Sequence, residues 1–238
     1  CQAFDKGGFC CYTYFSMIQA IFKAATGIIY PPRCSSCREK LEPADTNKLI
    51  CRPCLRKIVP NTPPFDREYG VKDAHFDRAI WACAYEGTIK EIIHSFKYRH
   101  KIKLGKLLSE LMLNFIQEYR LPLTQCDYII PIPLSLTRLR EREFNQAQII
   151  AADISGALKI PLLNNALKRV RHSRPQAELN REERLNNLKG AFKNKESLDG
   201  KDIMLIDDVL TTGATASEAS RVLKETGANS VFVFTAAG

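Results

Sequence analysis

The sequence predicts a parallel α/β fold preceded by a small cysteine-rich module. Two observations carry that expectation. From Asp127 onward, short apolar runs alternate with helical patterns, the arrangement that builds a parallel sheet with helices on its faces. Upstream, Cys34, Cys37, Cys51 and Cys54 form two Cys-x2-Cys pairs separated by thirteen residues, a spacing that lets two knuckles close on one metal ion.

Composition narrows the class. The 238 residues carry 35 Lys and Arg against 26 Asp and Glu, a net charge of +9, and 45% are hydrophobic and 26% charged. Those fractions exclude collagen-like, fully disordered and multi-span membrane proteins. The basic balance favours an anionic partner: nucleic acid, a phosphorylated metabolite or an acidic membrane surface.

Residues 1–30 read as an N-terminal helical segment. Its run 9–30 holds one charge, Lys23, and is about long enough to span a bilayer. Thr13, Ser16, Gln19 and Thr26 dilute it, so an amphipathic helix with Ile18, Ile21, Phe22 and Ala25 on one face is the simplest reading. Contact with a membrane surface is the alternative. Residues 31–57 are the cysteine module, and 58–78, with Pro60, Pro63 and Pro64, a linker. The remaining domain, 79–238, begins with an apolar strand over 79–85. Thr88 and Glu91 then predict a capping box for a helix through Arg99. Leu104, Leu107, Leu108, Leu111 and Phe115 give a second helical stripe, ended at Leu121-Pro122. A strand is expected over 128–132, a helix capped by Asn145 through Leu158, and a short strand from Pro161. An arginine-rich polar region covers 168–195. A buried strand at 203–206, a helix over 215–226 ended by Gly227, and a strand at 230–234 complete the chain.

Two Cys-x2-Cys pairs suit a tetrahedral Zn²⁺ site, and four thiolates leave no open position, so the expected role is structural. No secretory cleavage pattern follows the apolar run, and metal-binding thiols fit a reducing, intracellular compartment. Cys83 reads as a small buried hydrophobe. Cys126 has no partner in sequence.

The most informative segment is 203–215. Four apolar residues lead to Asp207 and Asp208, followed by Val209-Leu210-Thr211-Thr212-Gly213-Ala214-Thr215. Ligands of open α/β sheets bind just outside the carboxyl ends of strands. Backbone amides of 211–215, with the positive end of the next helix, suit a phosphate monoester. Thr211, Thr212 and Thr215 add hydroxyls, and Gly213 allows close backbone approach. The two acids would repel a phosphate and therefore suit neutral donors such as ribose hydroxyls.

This segment resembles the thirteen-residue motif of type I phosphoribosyltransferases, which bind 5-phosphoribosyl 1-pyrophosphate (PRPP). The resemblance implies that the acid pair contacts the ribose 2′- and 3′-hydroxyls and that Thr211, Thr212, Gly213, Ala214 and Thr215 take the 5′-phosphate. Mg²⁺ would be bridged mainly by ribose and pyrophosphate oxygens. Pro131, Ile132, Pro133 and Leu134 stand where that family places a pyrophosphate-binding turn. Arg138, Arg140 and Arg142, then Phe144-Asn145-Gln146-Ala147, Arg174-Pro175-Gln176, Arg181, Asn187-Leu188 and Gly190-Ala191-Phe192 follow. With the upstream four-cysteine knuckle, this order resembles the ComF family of competence proteins. One departure is Glu143, where relatives usually have glycine before Phe-Asn-Gln.

The ComF resemblance implies a factor of natural transformation that helps incoming single-stranded DNA reach the cytoplasm. It implies work at the cytoplasmic face of the membrane with helicase-like or DNA-transport partners. Charge agrees with a polyanionic partner: residues 138–195 hold 13 lysines and arginines against 6 acids. Candidate nucleic-acid contacts are Lys97, Tyr98, Arg99 and Lys101, then Arg138, Arg140 and Arg142, and finally Lys168, Arg169, Arg171, Arg174 and Arg181. Two other readings of these cations stand: a solvated loop, and a clamp on pyrophosphate. Phosphoribosyl transfer relies mainly on positioning and leaving-group stabilisation. A catalytically active phosphoribosyltransferase of nucleotide metabolism is therefore the alternative function, although no segment specifies an acceptor base.

Overall fold

The computed structural model describes residues 32–42, 45, 49–65, 74–170 and 188–238. The chain divides into two compact units, residues 1–55 and 56–238. The expected helical segment 1–30 and the candidate contacts Arg171, Arg174 and Arg181 lie outside the described residues.

In the first unit, Arg33 and Lys40 bridge as an antiparallel pair around the first cysteine knuckle. Arg38 takes a left-handed conformation there (φ 66°). Helix α1 (Arg52–Leu55) carries Cys54. Asp45 braces both ends of the intervening stretch, accepting from the Glu42 and Arg52 N–H groups at 2.8 and 3.0 Å.

The second unit is built on four parallel strands in the order β1 (Arg78–Cys83), β6 (Ser230–Ala237), β5 (Asp202–Val209) and β2 (Tyr128–Pro131). A parallel sheet needs cover on both faces, and alternate residues of β5 supply apolar side chains to each. Ile203 and Leu205 belong to the core cluster under α6 (Ala214–Glu225), which includes Ala219, Val222 and Leu223. Met204 and Ile206, also fully buried, face the other way. Helices α2 (Gly87–Tyr98), α3 (Leu104–Glu118) and α5 (Gln146–Leu158) complete that side, with the Phe115 ring 6.4 Å from that of Phe234. Gly105 permits the close packing of these helices, since a Cβ there would lie 2.6 Å from Ile149 Cγ2. Cys83 and Cys126 are buried, and burial pushes both thiols up to about 12.

Several local expectations are corrected. The Thr88–Glu91 capping box does not form: α2 starts two residues earlier than that box requires, at Gly87 after the N-cap Glu86, and Thr88 is buried against the fold. Met112, with Leu111 only half-buried, completes the apolar stripe of α3. Instead of a strand from Pro161, a single parallel bridge joins Leu162 to Ile129. A short helix, α4 (Leu136–Arg142), occupies a stretch read only as arginine-rich, with Ser135 Oγ accepting from the Arg138 N–H. Asn145 caps α5 as expected, accepting from the Ala147 N–H at 3.2 Å. Within the expected linker, Val59 to Asn61 are ordered: Pro60 bridges Cys83, and Asn61 donates to the Trp81 carbonyl. A two-stranded antiparallel ribbon, β3 (Leu167–Arg169) with β4 (Phe192–Asn194), flanks the arginine-rich region.

Glu143, at the end of α4, has φ 67° and ψ −12°. The left-handed conformation explains why glycine suits this position. The contact of its carboxylate with His100, at 3.4 Å and exposed on both sides, offsets little of that strain. Glu143→Gly is therefore expected to raise unfolding stability by about 1 kcal/mol. Chemical denaturation checks this, and a loss of stability would contradict the strain argument.

Candidate functional site

Strand β5 ends in the acid pair, and the chain then turns through the threonine loop into α6. The helix begins at Ala214, with Gly213 as its N-cap at φ 77° and buried. Glycine is thus required here first for its left-handed backbone. The loop is otherwise short of internal bonds: Thr212 Oγ1 accepts weakly from the Ala214 N–H at 3.5 Å. Asp207 and Val209 through Ala216 line a small open pocket of about 50 Å³ with mostly polar walls. The first N–H groups of a helix have no intrahelical partner and carry its positive dipole end, so this pocket is chemically suited to an anion.

The turn at Pro131, Ile132, Pro133 and Leu134 lies one strand over. Pro131 pairs with Ile206 in the sheet, and the Ile132 N–H donates to the Ile206 carbonyl at 2.9 Å. Asn145 Nδ2 donates to the Ile132 carbonyl at 3.0 Å, tying the turn to the start of α5. Strand pairing therefore places the acid pair, the threonine loop and the proline turn at the same end of the sheet.

The two acids sit differently. Asp208 is buried and its Oδ1 lies 2.8 Å from Lys97 Nζ, which arrives from the last turn of α2. Asp207 accepts from the Asp208 N–H through Oδ1. Burial, reinforced by the neighbouring Asp208 carboxylate, pushes Asp207 up to about 7 against the opposing charges of Lys97 and Arg142.

The candidate nucleic-acid residues separate into two groups. Lys97 is paired with Asp208. Arg142 is buried, donating to Gln146 Oε1 at 3.0 Å and to the Tyr98 hydroxyl at 3.1 Å, with its guanidinium 5.0 Å over the Tyr98 ring. Arg169 is half-buried over the Phe192 ring. Burial and the nearby Arg138 charge lower its pKa, while Asp207 opposes them. These three are engaged within the protein, Lys97 by Asp208, Arg142 by Gln146 and Tyr98, and Arg169 over Phe192. Arg99, Arg140 and Lys168 are exposed, and Lys101 and Arg138 half-buried. Tyr98 keeps 55% of its surface exposed although Arg142 and the His94 ring hold it.

One signal for Lys97 was present in the sequence. It lies four residues after Ile93, on the apolar face of α2 that carries Ile89 and Phe96 inward, so its side chain points toward the sheet. Arg142 and Arg169 carry no comparable signal, because charge alone does not tell which side chains turn inward.

Cys34, Cys37, Cys51 and Cys54 bring their sulfurs within 4.8 Å of one another, and all four are free thiols. Zn–S bonds of about 2.3 Å would set the sulfurs of a tetrahedron roughly 3.8 Å apart, and Cys37 Sγ lies 3.7 Å from Cys51 Sγ. The Cys51 N–H donates to Cys34 Sγ. Burial works against a Cys34 thiolate, but backbone N–H groups of Cys51, Ser36 and Cys37 outweigh it and bring the thiol down to about 6. Burial and the neighbouring thiols push Cys51 up to about 12. Cys34 and Cys51, of such unequal acidity, are both thiolates near neutral pH only around a cation. The cluster fits a structural zinc ion.

Fold and site together define an α/β protein with an anion-suited cradle at the end of its sheet and a separate thiolate cluster. No family model matches the chain. Competence protein F of Haemophilus influenzae is 28% identical over 223 residues, covering 85% of this chain and 95% of that protein. Competence protein ComFC of Bacillus subtilis is 31% identical over 85% of this chain and 82% of that one. DNA utilization protein YhgH of Escherichia coli K12 is 30% identical over 81% and 79%. The chain belongs to this ComF family of competence and DNA utilization proteins. Among solved structures, it is similar to adenine phosphoribosyltransferase from Leishmania donovani (15% identity, 75% of this chain and 64% of that one, TM-score 0.36). The purine phosphoribosyltransferase from Pyrococcus horikoshii Ot3 is another (18%, 54% and 69%, TM-score 0.34).

Among the described residues, no helix is long and apolar enough to cross a membrane.

Proposed function

We propose that this chain is a DNA-handling factor of natural transformation that binds PRPP or a related phosphoribosyl ligand at the end of β5 and single-stranded DNA on its basic surface. The observation that carries the ligand reading is the joint lining of one pocket by Asp207 and the helix-opening threonine loop. A carboxylate accepts ribose hydroxyls while amides and Thr211, Thr212 and Thr215 hold a 5′-phosphate. Mg²⁺ would accompany such a ligand and offset part of its pyrophosphate charge. The DNA reading is supported by the names of the relatives, all concerned with competence or DNA utilization. It is also supported by the exposed Tyr98, Arg99, Arg140 and Lys168, an aromatic and cations suited to base stacking and phosphates. Work at the cytoplasmic face of the membrane, with helicase-like or transport partners, follows from that role.

The test is fluorescence anisotropy of a labelled single-stranded oligonucleotide titrated with zinc-loaded protein at rising salt. Phosphate neutralisation predicts affinity falling steeply with ionic strength and little dependence on base sequence. Affinity that is unchanged from low to moderate salt would overturn the DNA reading.

A further inference from the structure

The adjacent acids at the end of β5 are placed unequally, and the inequality originates outside the loop. Of the two, only Asp207 lines the pocket beside the threonines. Asp208 is turned away into a buried ion pair with Lys97, at side-chain exposures of 7% and 17%. The charged groups facing Asp207 are Asp208 on its own strand, Lys97 from α2, Arg142 from the end of α4 and Arg169 from β3. Lys97 joins the acid pair by direct contact. Arg142 directs its guanidinium to Tyr98 and Gln146 instead.

We propose that Lys97 is a positioning residue for ribose recognition: its ion pair anchors Asp208 inside the protein and leaves Asp207 as the carboxylate that accepts the ligand's hydroxyls. The two acids of the motif then have separate tasks. One fixes the end of β5 to α2, and the other meets the sugar. A hydroxyl donates more strongly to a carboxylate than to a carboxylic acid, so binding requires Asp207 to be ionised. Lys97 favours that state through its nearby positive charge. This inference rests on the phosphoribosyl reading of the pocket for its ligand, while the arrangement of the acids can be tested without one.

Lys97→Met, Lys97→Arg, Asp208→Asn and the Lys97→Met/Asp208→Asn pair are compared by calorimetry with PRPP–Mg²⁺ and with ribose 5-phosphate between pH 6 and 8.5. Removing the charge is expected to move the pH midpoint of binding up by about one unit and to weaken affinity at pH 7 roughly fivefold. Lys97→Arg restores both, a response that loss of packing alone would not give. Asp208→Asn removes a neighbouring negative charge and should move the midpoint down, so the double variant should shift it less than Lys97→Met alone. Wild-type affinity and an unshifted midpoint in Lys97→Met would overturn the proposal. If the wild-type protein binds neither probe, the phosphoribosyl reading fails, and carboxyl ¹³C titration of Asp207 in the free protein still decides the role of Lys97. A higher midpoint in Lys97→Met supports it, and an identical midpoint overturns it.

Discussion

Cys51→Ser is expected to release one zinc ion per chain and to unfold the cysteine unit. Among its described residues, that unit has little else to hold it. Its described regular structure is the four-residue α1 and a single antiparallel bridge, and the buried apolar side chains outside the cysteines are few, chiefly Leu41 and Ile50. Structural zinc sites bind with about 10–16 kcal/mol of apparent free energy near neutral pH, and that binding is also folding energy. The core formed by the described residues is too small to replace it. Atomic emission should find one zinc per wild-type chain and none in Cys51→Ser. Excess chelator should reproduce the variant's loss of circular dichroism. A Cys51→Ser protein that keeps full metal content and wild-type structure would remove the thiolate cluster from the account.

The second large effect separates the two acids. Asp208→Ala leaves the mostly buried Lys97 ammonium without its carboxylate, a change that costs about 3 kcal/mol or more. Asp207→Asn should do the opposite near neutral pH. Asp207 has a folded pKa raised from 3.8 to about 7. Between those values the native state therefore holds a proton that the unfolded chain has released. Stability attributable to this group falls as pH rises through that window and levels off above it. Asparagine cannot ionise, so Asp207→Asn should match wild type near pH 4 and exceed it above pH 7. Denaturation curves at the two pH values measure the contrast directly. Equal losses in both variants would show that the acids are interchangeable.

Much of the fold was legible because its signals are local. The apolar run before Asp207, the threonine loop and the amphipathic helix after it predicted β5 and α6 to within a few residues at each end. Asn145 caps α5 because an Asx side chain can reach the N–H two residues ahead. The capping box at Thr88 failed for a tertiary reason: burial claims its side chain. Helix α4 was missed because only seven residues form it and its pattern is dominated by charge.

The candidate site was legible as a motif but not as an arrangement. The cysteine spacing predicted a four-sulfur cluster, since each Cys-x2-Cys knuckle is nearly self-contained. The pairing of Lys97 with Asp208 joins segments far apart in the chain, and no local pattern specifies it. The basic stretches are silent about arrangement in the same way. A run of charge shows neither that Arg142 is buried against Tyr98 nor that Arg169 lies over Phe192. Glu143 was visible as an unusual residue, and its φ of 67° supplies the physical reason.

The proposed function makes the end of β5 a working phosphoribosyl site. Calorimetric titration of PRPP with Mg²⁺ into zinc-loaded protein tests it most directly, with Asp207→Ala as the control and a short single-stranded oligonucleotide present in a second series. The account predicts saturable one-to-one binding that Asp207→Ala abolishes. Folded, zinc-loaded wild-type protein that binds no PRPP, or Asp207→Ala protein that binds it as well as wild type, would contradict it.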